Sequence, residues 1–292
     1  ASQKGLVERF DSTIGGRTVL MPFGGKYNKT PAEGMAGKIP MFDGKECKNA
    51  SLMTFGFNPL LGTWSPYHMA FYSVIESVTK LTAMGGDYRK ARLTFQEYFE
   101  RLGDKSDRWG KPFAALLGAY RVQEELSIPA IGGKDSMSGT FDDIDVPPSL
   151  VSFAVGYEKA DNVISPELKN DNSKLVFVKS EKLEDGIINM DKFRKSMTKV
   201  YELISSKKVI SAYSLKFGGV SEAITKMSLG NKIGAEIENL TKDDLFGLNY
   251  GSLVLEMDND IDLDNAFGDV EYKIIGKTTK EPKIVCKDYN VN

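Results

Sequence analysis

Ile128-Pro129-Ala130-Ile131-Gly132-Gly133-Lys134-Asp135-Ser136-Met137-Ser138-Gly139 passes from a short apolar segment into paired glycines, a cation, an acid and two hydroxyls. The first four residues read as a strand and the remainder as a polar loop leaving it. Backbone amides concentrated beside Lys134, Ser136 and Ser138 are suitable equipment for holding phosphate or ribose. The G-x-x-x-x-G-K-[ST] spacing of a Walker A loop is absent, and a plain glycine turn between core strands remains open on these residues alone.

The segments on either side supply a strand-and-helix pattern. Phe113, Leu116, Leu117 and Tyr120 mark a helix reaching about Leu126, and Ser149-Leu150-Val151-Ser152-Phe153-Ala154-Val155-Gly156 is an apolar strand. Phe71, Val74, Ile75, Val78 and Leu81 recur at helical spacing before a stop at Gly85-Gly86. Thr94-Phe95-Gln96-Glu97 has the capping-box form, which predicts a short helix carrying Phe95, Tyr98, Phe99 and Leu102 and closed by Gly103. Before residue 65, Thr18-Val19-Leu20-Met21 and Ala50-Ser51-Leu52-Met53-Thr54 read as strands. The polar run Gly24-Gly25-Lys26-Tyr27-Asn28-Lys29-Thr30-Pro31 reads as a mobile surface loop.

Residues 158–173 turn polar and mark a domain boundary. Beyond them come a strand at 174–179, a helix carrying Phe193, Met197, Val200 and Ile204, and a strand at 208–212. A helix then opens at Gly218-Gly219, and strands at 252–257 and 270–275 finish the chain. The expected class is α/β or α+β, with sheet-and-helix layers in two domains, 1–158 and 159–292.

Lys and Arg number 38 against 40 acids, a balance that disfavours a protein gripping nucleic acid through its phosphates and favours a small-molecule partner. Cys47 and Cys286 stand far apart, so neither a disulfide framework nor a zinc cluster is indicated. No apolar run approaches the ~18 residues of a membrane span, and no secretory pattern opens the chain, which points to the cytoplasm. Ala1-Ser2-Gln3 has the look of a cut or processed start. His68, the single histidine, reads as a cap or packing residue; Trp64 and Trp109 read as anchors at domain contacts.

Gly133-Lys134-Asp135-Ser136-Met137-Ser138 resembles the G-K-D-S-M-S signature of the long-form phosphoribosylformylglycinamidine synthases. The order of the flanking segments resembles the second synthetase copy of that family, from the Tyr67 helix and Gly86-Asp87-Tyr88-Arg89-Lys90 to Ser165-Pro166-Glu167-Leu168. The resemblance implies the two-domain fold of aminoimidazole ribonucleotide synthetase. It also implies a reaction in which ATP phosphorylates the amide oxygen of formylglycinamide ribonucleotide and glutamine-derived ammonia displaces phosphate. It further implies a nucleotide site shared with the first synthetase half, to which Gly133, Lys134, Asp135, Ser136 and Ser138 contribute. The partners would be that half and a glutaminase domain, with ATP and magnesium as cofactors of the complete enzyme and none on this chain alone.

The family's accessory nucleotide-magnesium site is degenerate here. Its Glu and Asn, four apart on the first helix, read Glu76 and Lys80; its H-D-x-S-D-G-G turn aligns on 212–219, where Lys216 and Phe217 stand and both acids are lost. F-N-E-E-x-G becomes Phe246-Gly247-Leu248-Asn249-Tyr250-Gly251. Magnesium needs several oxygen ligands, so no metal site is expected. Glu76 and Lys80 alone read as a surface i, i+4 pair; Lys80 and Lys216 would otherwise fill the vacated volume as a strut. The competing reading is a non-catalytic pseudo-synthetase module that stabilises an active partner. Selenophosphate synthetase and thiamine-phosphate kinase are disfavoured because their acid-rich magnesium motifs are missing. The isolated chain is expected to form a homodimer through the first sheet, with the Val151 to Val155 strand and the runs near Val19 and Leu52 as candidates.

Overall fold

The computed structural model describes residues 4–10, 12–41, 45 and 47–289; Ala1-Ser2-Gln3 lies outside them. The principal elements in chain order are β1 (Gly34–Lys38), β2 (Asn49–Gly56), α1 (Pro66–Ala83), β3 (Arg92–Tyr98), α2 (Ser106–Leu126), β4 (Ala130–Ser136) and β5 (Ser149–Lys159). They continue with β6 (Lys174–Val178), α3 (Met190–Ser205), β7 (Val209–Ser214), α4 (Gly219–Leu229), β8 (Gly234–Ile237), β9 (Leu253–Met257), β10 (Lys273–Thr279) and β11 (Ile284–Cys286).

Two mixed sheets result, one ordered β1-β2-β5-β3-β4 and the other β7-β9-β6-β10-β8-β11. In the first, only the β3–β4 pair is parallel; in the second, only β8–β11. α1 starts at Ser65, whose hydroxyl accepts from the His68 amide, with Pro66 at the first helical position. It packs against β2, β5 and α2, and also against β7 and α3. Leu175, Phe177, Val220, Ile224, Met227 and Ile275 form a second apolar cluster on the far side of the second sheet.

Three expectations are corrected. Thr94 to Glu97 opens no helix: β3 is a strand laddered on both sides, and Thr94 Oγ1 donates to Gly132 O at 3.0 Å instead of capping a turn. Tertiary pairing overrides the local cap signal. Thr18 makes only an isolated bridge to Gly37, with Val19 and Leu20 amides donating to Ala36 O, so that run is irregular chain.

The segment from Gly24 is no free loop either. Phe23–Gly24 pairs with Thr30–Pro31, and buried Thr30 donates to Lys226 O at 2.5 Å and accepts from the Gly230 amide at 2.8 Å. Gly25, at φ +83°, lies so close that a Cβ would overlap the Gly230 backbone. The helix expected from Phe113 to about Leu126 is present as α2, with Phe113, Leu116, Leu117 and Tyr120 on its exposed face. Its buried face is small, with Ala115, Gly118, Ala119, Val122 and Leu126, because Gly118 rides directly over Tyr67 O of α1.

Candidate functional site

The signature falls on β4, an edge strand paired only with β3, and not on the loop expected from its glycines. Both ends of β4 are tied: the Ala130 amide donates to Gln123 Oε1 at 2.7 Å, and the Phe99 amide donates to Ser136 O at 2.8 Å. Gly133 has to be glycine, since a Cβ would stand 2.7 Å from Phe95 O. The register sets Gln96 beside Lys134, Glu97 beside Asp135 and Tyr98 beside Ser136.

Side chains alternate across a strand, so the five signature candidates share an edge but not a face. Lys134 and Ser136 stand with Gln96 and Tyr98 on the outward face, while Gly133 and Asp135 stand with Phe95 and Glu97 on the helix-covered face. Ser138, just past the strand, is held to Ser136 by an Oγ–Oγ hydrogen bond of 3.1 Å. Lys134 Nζ, exposed, donates to Asp135 O at 3.1 Å. Burial first, and then the Asp135 charge, push the Glu97 carboxyl up to about 7.

The outward face has two sectors. β3 and β4 supply Thr94, Gln96, Tyr98, Lys134 and Ser136; β1, β2 and β5 supply Met35, Met53, Phe55, Val151, Phe153 and Val155, aligned by register. Met35 and Phe55 are 54% and 51% exposed, an unpartnered apolar surface continuous with the polar sector. Of the sequence candidates for this face, Leu52 points inward and is fully buried, and Val19 lies against the core.

Glu76, Lys80 and Lys216 do come together, inside the protein. Lys80 Nζ lies 2.6 Å from Glu76 Oε1, donates to Phe55 O at 2.8 Å and sits 4.3 Å from the Phe55 ring centroid; Glu76 Oε2 accepts from the Phe57 amide at 3.2 Å. Lys216 Nζ donates to Tyr213 OH at 3.0 Å and stands 3.5 Å from Glu33 and 3.9 Å from Glu222. Glu33 also accepts from the Ser214 amide at 2.7 Å and from the Ser214 hydroxyl, and Glu222 is bonded by Lys226. Burial pulls Lys80 below the usual lysine range, with Glu76 opposing; Lys216 feels the same burial, but Glu33, Tyr213 and Glu222 outweigh it and hold its proton more tightly. Glu33 and Glu222 carried no sequence signal, since each reads as a solitary acid. Phe217 is 57% exposed and takes no part.

His68 bridges: Nδ1 is 2.9 Å from Ser65 Oγ and Nε2 3.0 Å from Asp185 O. Trp64 and Trp109 are 68% and 59% exposed; Trp64 leans on the His68 ring, centroids 4.7 Å apart, and the Trp109 ring nitrogen donates to Gly103 O at 2.9 Å. Cys47 and Cys286 are free thiols. Among the described residues no group of three or more His, Cys, Asp or Glu side chains is placed to hold a metal, and no helix is long and apolar enough to cross a membrane.

No family model matches the chain. It is 22% identical over 314 aligned positions to phosphoribosylformylglycinamidine synthase subunit PurL of Thermoplasma volcanium, covering 98% of this chain and 40% of that protein. The solved structure titled T. maritima PurL complexed with FGAR superposes with a TM-score of 0.71 at 12% identity, covering 92% of this chain and 48% of that one. Thiamine monophosphate kinase from Aquifex aeolicus superposes with a TM-score of 0.58 at 12% identity, covering 83% of this chain and 89% of the kinase. The chain spans about 40% of the length of the first curated relative.

Proposed function

We propose that this chain, which is PurL-like and has the aminoimidazole ribonucleotide synthetase-like fold, acts as the second synthetase half of an ATP-dependent phosphoribosylformylglycinamidine synthase. It contributes one wall of a nucleotide site that a first half completes. The observation that carries this reading is the continuity of Lys134 and Ser136 with the apolar sector around Met53, Phe55 and Phe153. A second sheet covering the apolar sector would bring its own groups against the signature edge. The face pairs a docking surface with phosphate-binding chemistry, and neither is complete without a partner.

In this reading ATP supplies the phosphoryl group that turns an amide oxygen into a leaving group. Lys134 offsets negative charge on the phosphoryl oxygens, and the Ser136 hydroxyl, steadied by Ser138, donates a hydrogen bond. Ammonia comes from a glutaminase partner. The residues at the accessory position do not suit a magnesium-nucleotide complex: Glu76 and Glu33 are buried and each is within ion-pair distance of a lysine, so an incoming cation would have to displace an ammonium group. No step passes through that position.

The test is reconstitution. Formylglycinamide ribonucleotide, ATP and ammonium should give formylglycinamidine ribonucleotide when this chain is combined with a complementary first half, and nothing with either alone. Turnover by this chain alone would overturn the reading. The buried network of Lys80 and Lys216 favours a second reading, a non-catalytic module that only stabilises its partner. In that case Lys134→Ala in the complete enzyme would leave the rate unchanged.

A further inference from the structure

We infer that Gln96 is a positioning residue for Lys134, fixing the peptide of the lysine where its side chain meets a phosphate-bearing ligand. The inference rests on the reading of the signature edge given above and adds a residue outside the signature to the site.

β4 is an edge strand of its sheet. It has a neighbour on one side only and carries consecutive glycines, Gly132 and Gly133, the first with open space where a Cβ would be. Such a backbone holds a cation in place poorly. β3 compensates on the outward face with two side chains that reach across to the β4 backbone. Thr94 Oγ1 donates to Gly132 O at 3.0 Å, and Gln96 Nε2 donates to Lys134 O at 3.3 Å. The second bond ends on the peptide of the lysine itself and lies on the lysine's own face. A cation and a hydroxyl in one row suit a phosphate-bearing ligand.

The experiment uses the complete enzyme and a double-mutant cycle. Gln96→Met keeps the length of the side chain and removes the donor. It should lower kcat/KM by about 5-fold, the value of one neutral hydrogen bond, with an unchanged melting temperature. In a Lys134→Ala background the same substitution should cost nothing further, because Gln96 acts through the lysine. Gln96→Glu, also without the donor, should lower kcat/KM at least as much. A full Gln96→Met loss persisting in the Lys134→Ala enzyme would overturn the inference, as would a silent Gln96→Met beside an impaired Lys134→Ala. A silent Lys134→Ala would instead remove the site reading, and this inference with it.

Discussion

Lys80 Nζ and Glu76 Oε1 lie 2.6 Å apart, one turn from each other on α1, and their side chains are only 6% and 5% exposed. By sequence this is an ordinary i, i+4 surface pair. In the folded chain α1 is covered on several sides, and the pair is internal. The distinction sets the energetics, because exposed pairs contribute little whereas breaking a buried one strands a charge.

Lys80→Ala should therefore destabilise the chain by about 3–5 kcal/mol, since Glu76 would be left buried with no counter-ion. Replacing both residues by leucine should be far milder. Urea denaturation of the two variants checks this, and equal losses would show that the pair does not act as a pair.

The apolar sector of the first sheet should drive self-association of the isolated chain. Phe55→Asp together with Phe153→Asp places charges at its centre and should give a monomer by analytical ultracentrifugation, whereas the parent chain should sediment as a dimer at micromolar concentration. A parent chain that is monomeric throughout would show that this face needs no cover.

Glu97 makes stability depend on pH in a defined sense. Its folded value of about 7 lies above the ordinary 4.5. The folded chain therefore holds the proton more tightly than the unfolded one, and the associated stability is full below about pH 4.5 and lost as pH rises through about 7. Glu97→Gln should raise the melting temperature at pH 8 relative to the parent and leave the difference near zero at pH 4. An equal shift at both pH values would assign the effect to packing.

Gly25 and Gly15 have nearly the same backbone, φ +83° and +81°, but only Gly25 lies against another segment. Gly15→Ala should cost the backbone term alone, about 1 kcal/mol, and Gly25→Ala roughly 1–3 kcal/mol more as the hairpin is pushed off Gly230. Denaturation midpoints separate the two. Similar losses would mean that the hairpin is not held at Gly230.

Much of the second sheet was legible because its helices bury what their periodicity marks: Phe193, Met197, Val200 and Ile204 are all inside. α2 shows the opposite case. Its large residues recur at helical spacing but face outward, because the close approach of α1 at Gly118 admits only small side chains; periodicity identifies a helix without saying which stripe is covered. The strand that carries the signature was not legible beyond Ile131, since what orders Gly132 and Gly133 is the ladder to β3, more than 30 residues away in sequence. Glu33 and Glu222 could not be found at all, because their partners are assembled only by tertiary structure.

Every residue of α1 from Met69 to Ala83 is buried, and the helix meets strands and helices belonging to both sheets. Each sheet packs one face toward that helix, and the second sheet keeps a separate apolar cluster on its other face. Separating the chain after residue 158 would strip one side of α1 and uncover the face of the second sheet that packs on it. Calorimetry should record a single heat-absorption peak, with the helix acting as the shared keystone whose loss is the loss of both.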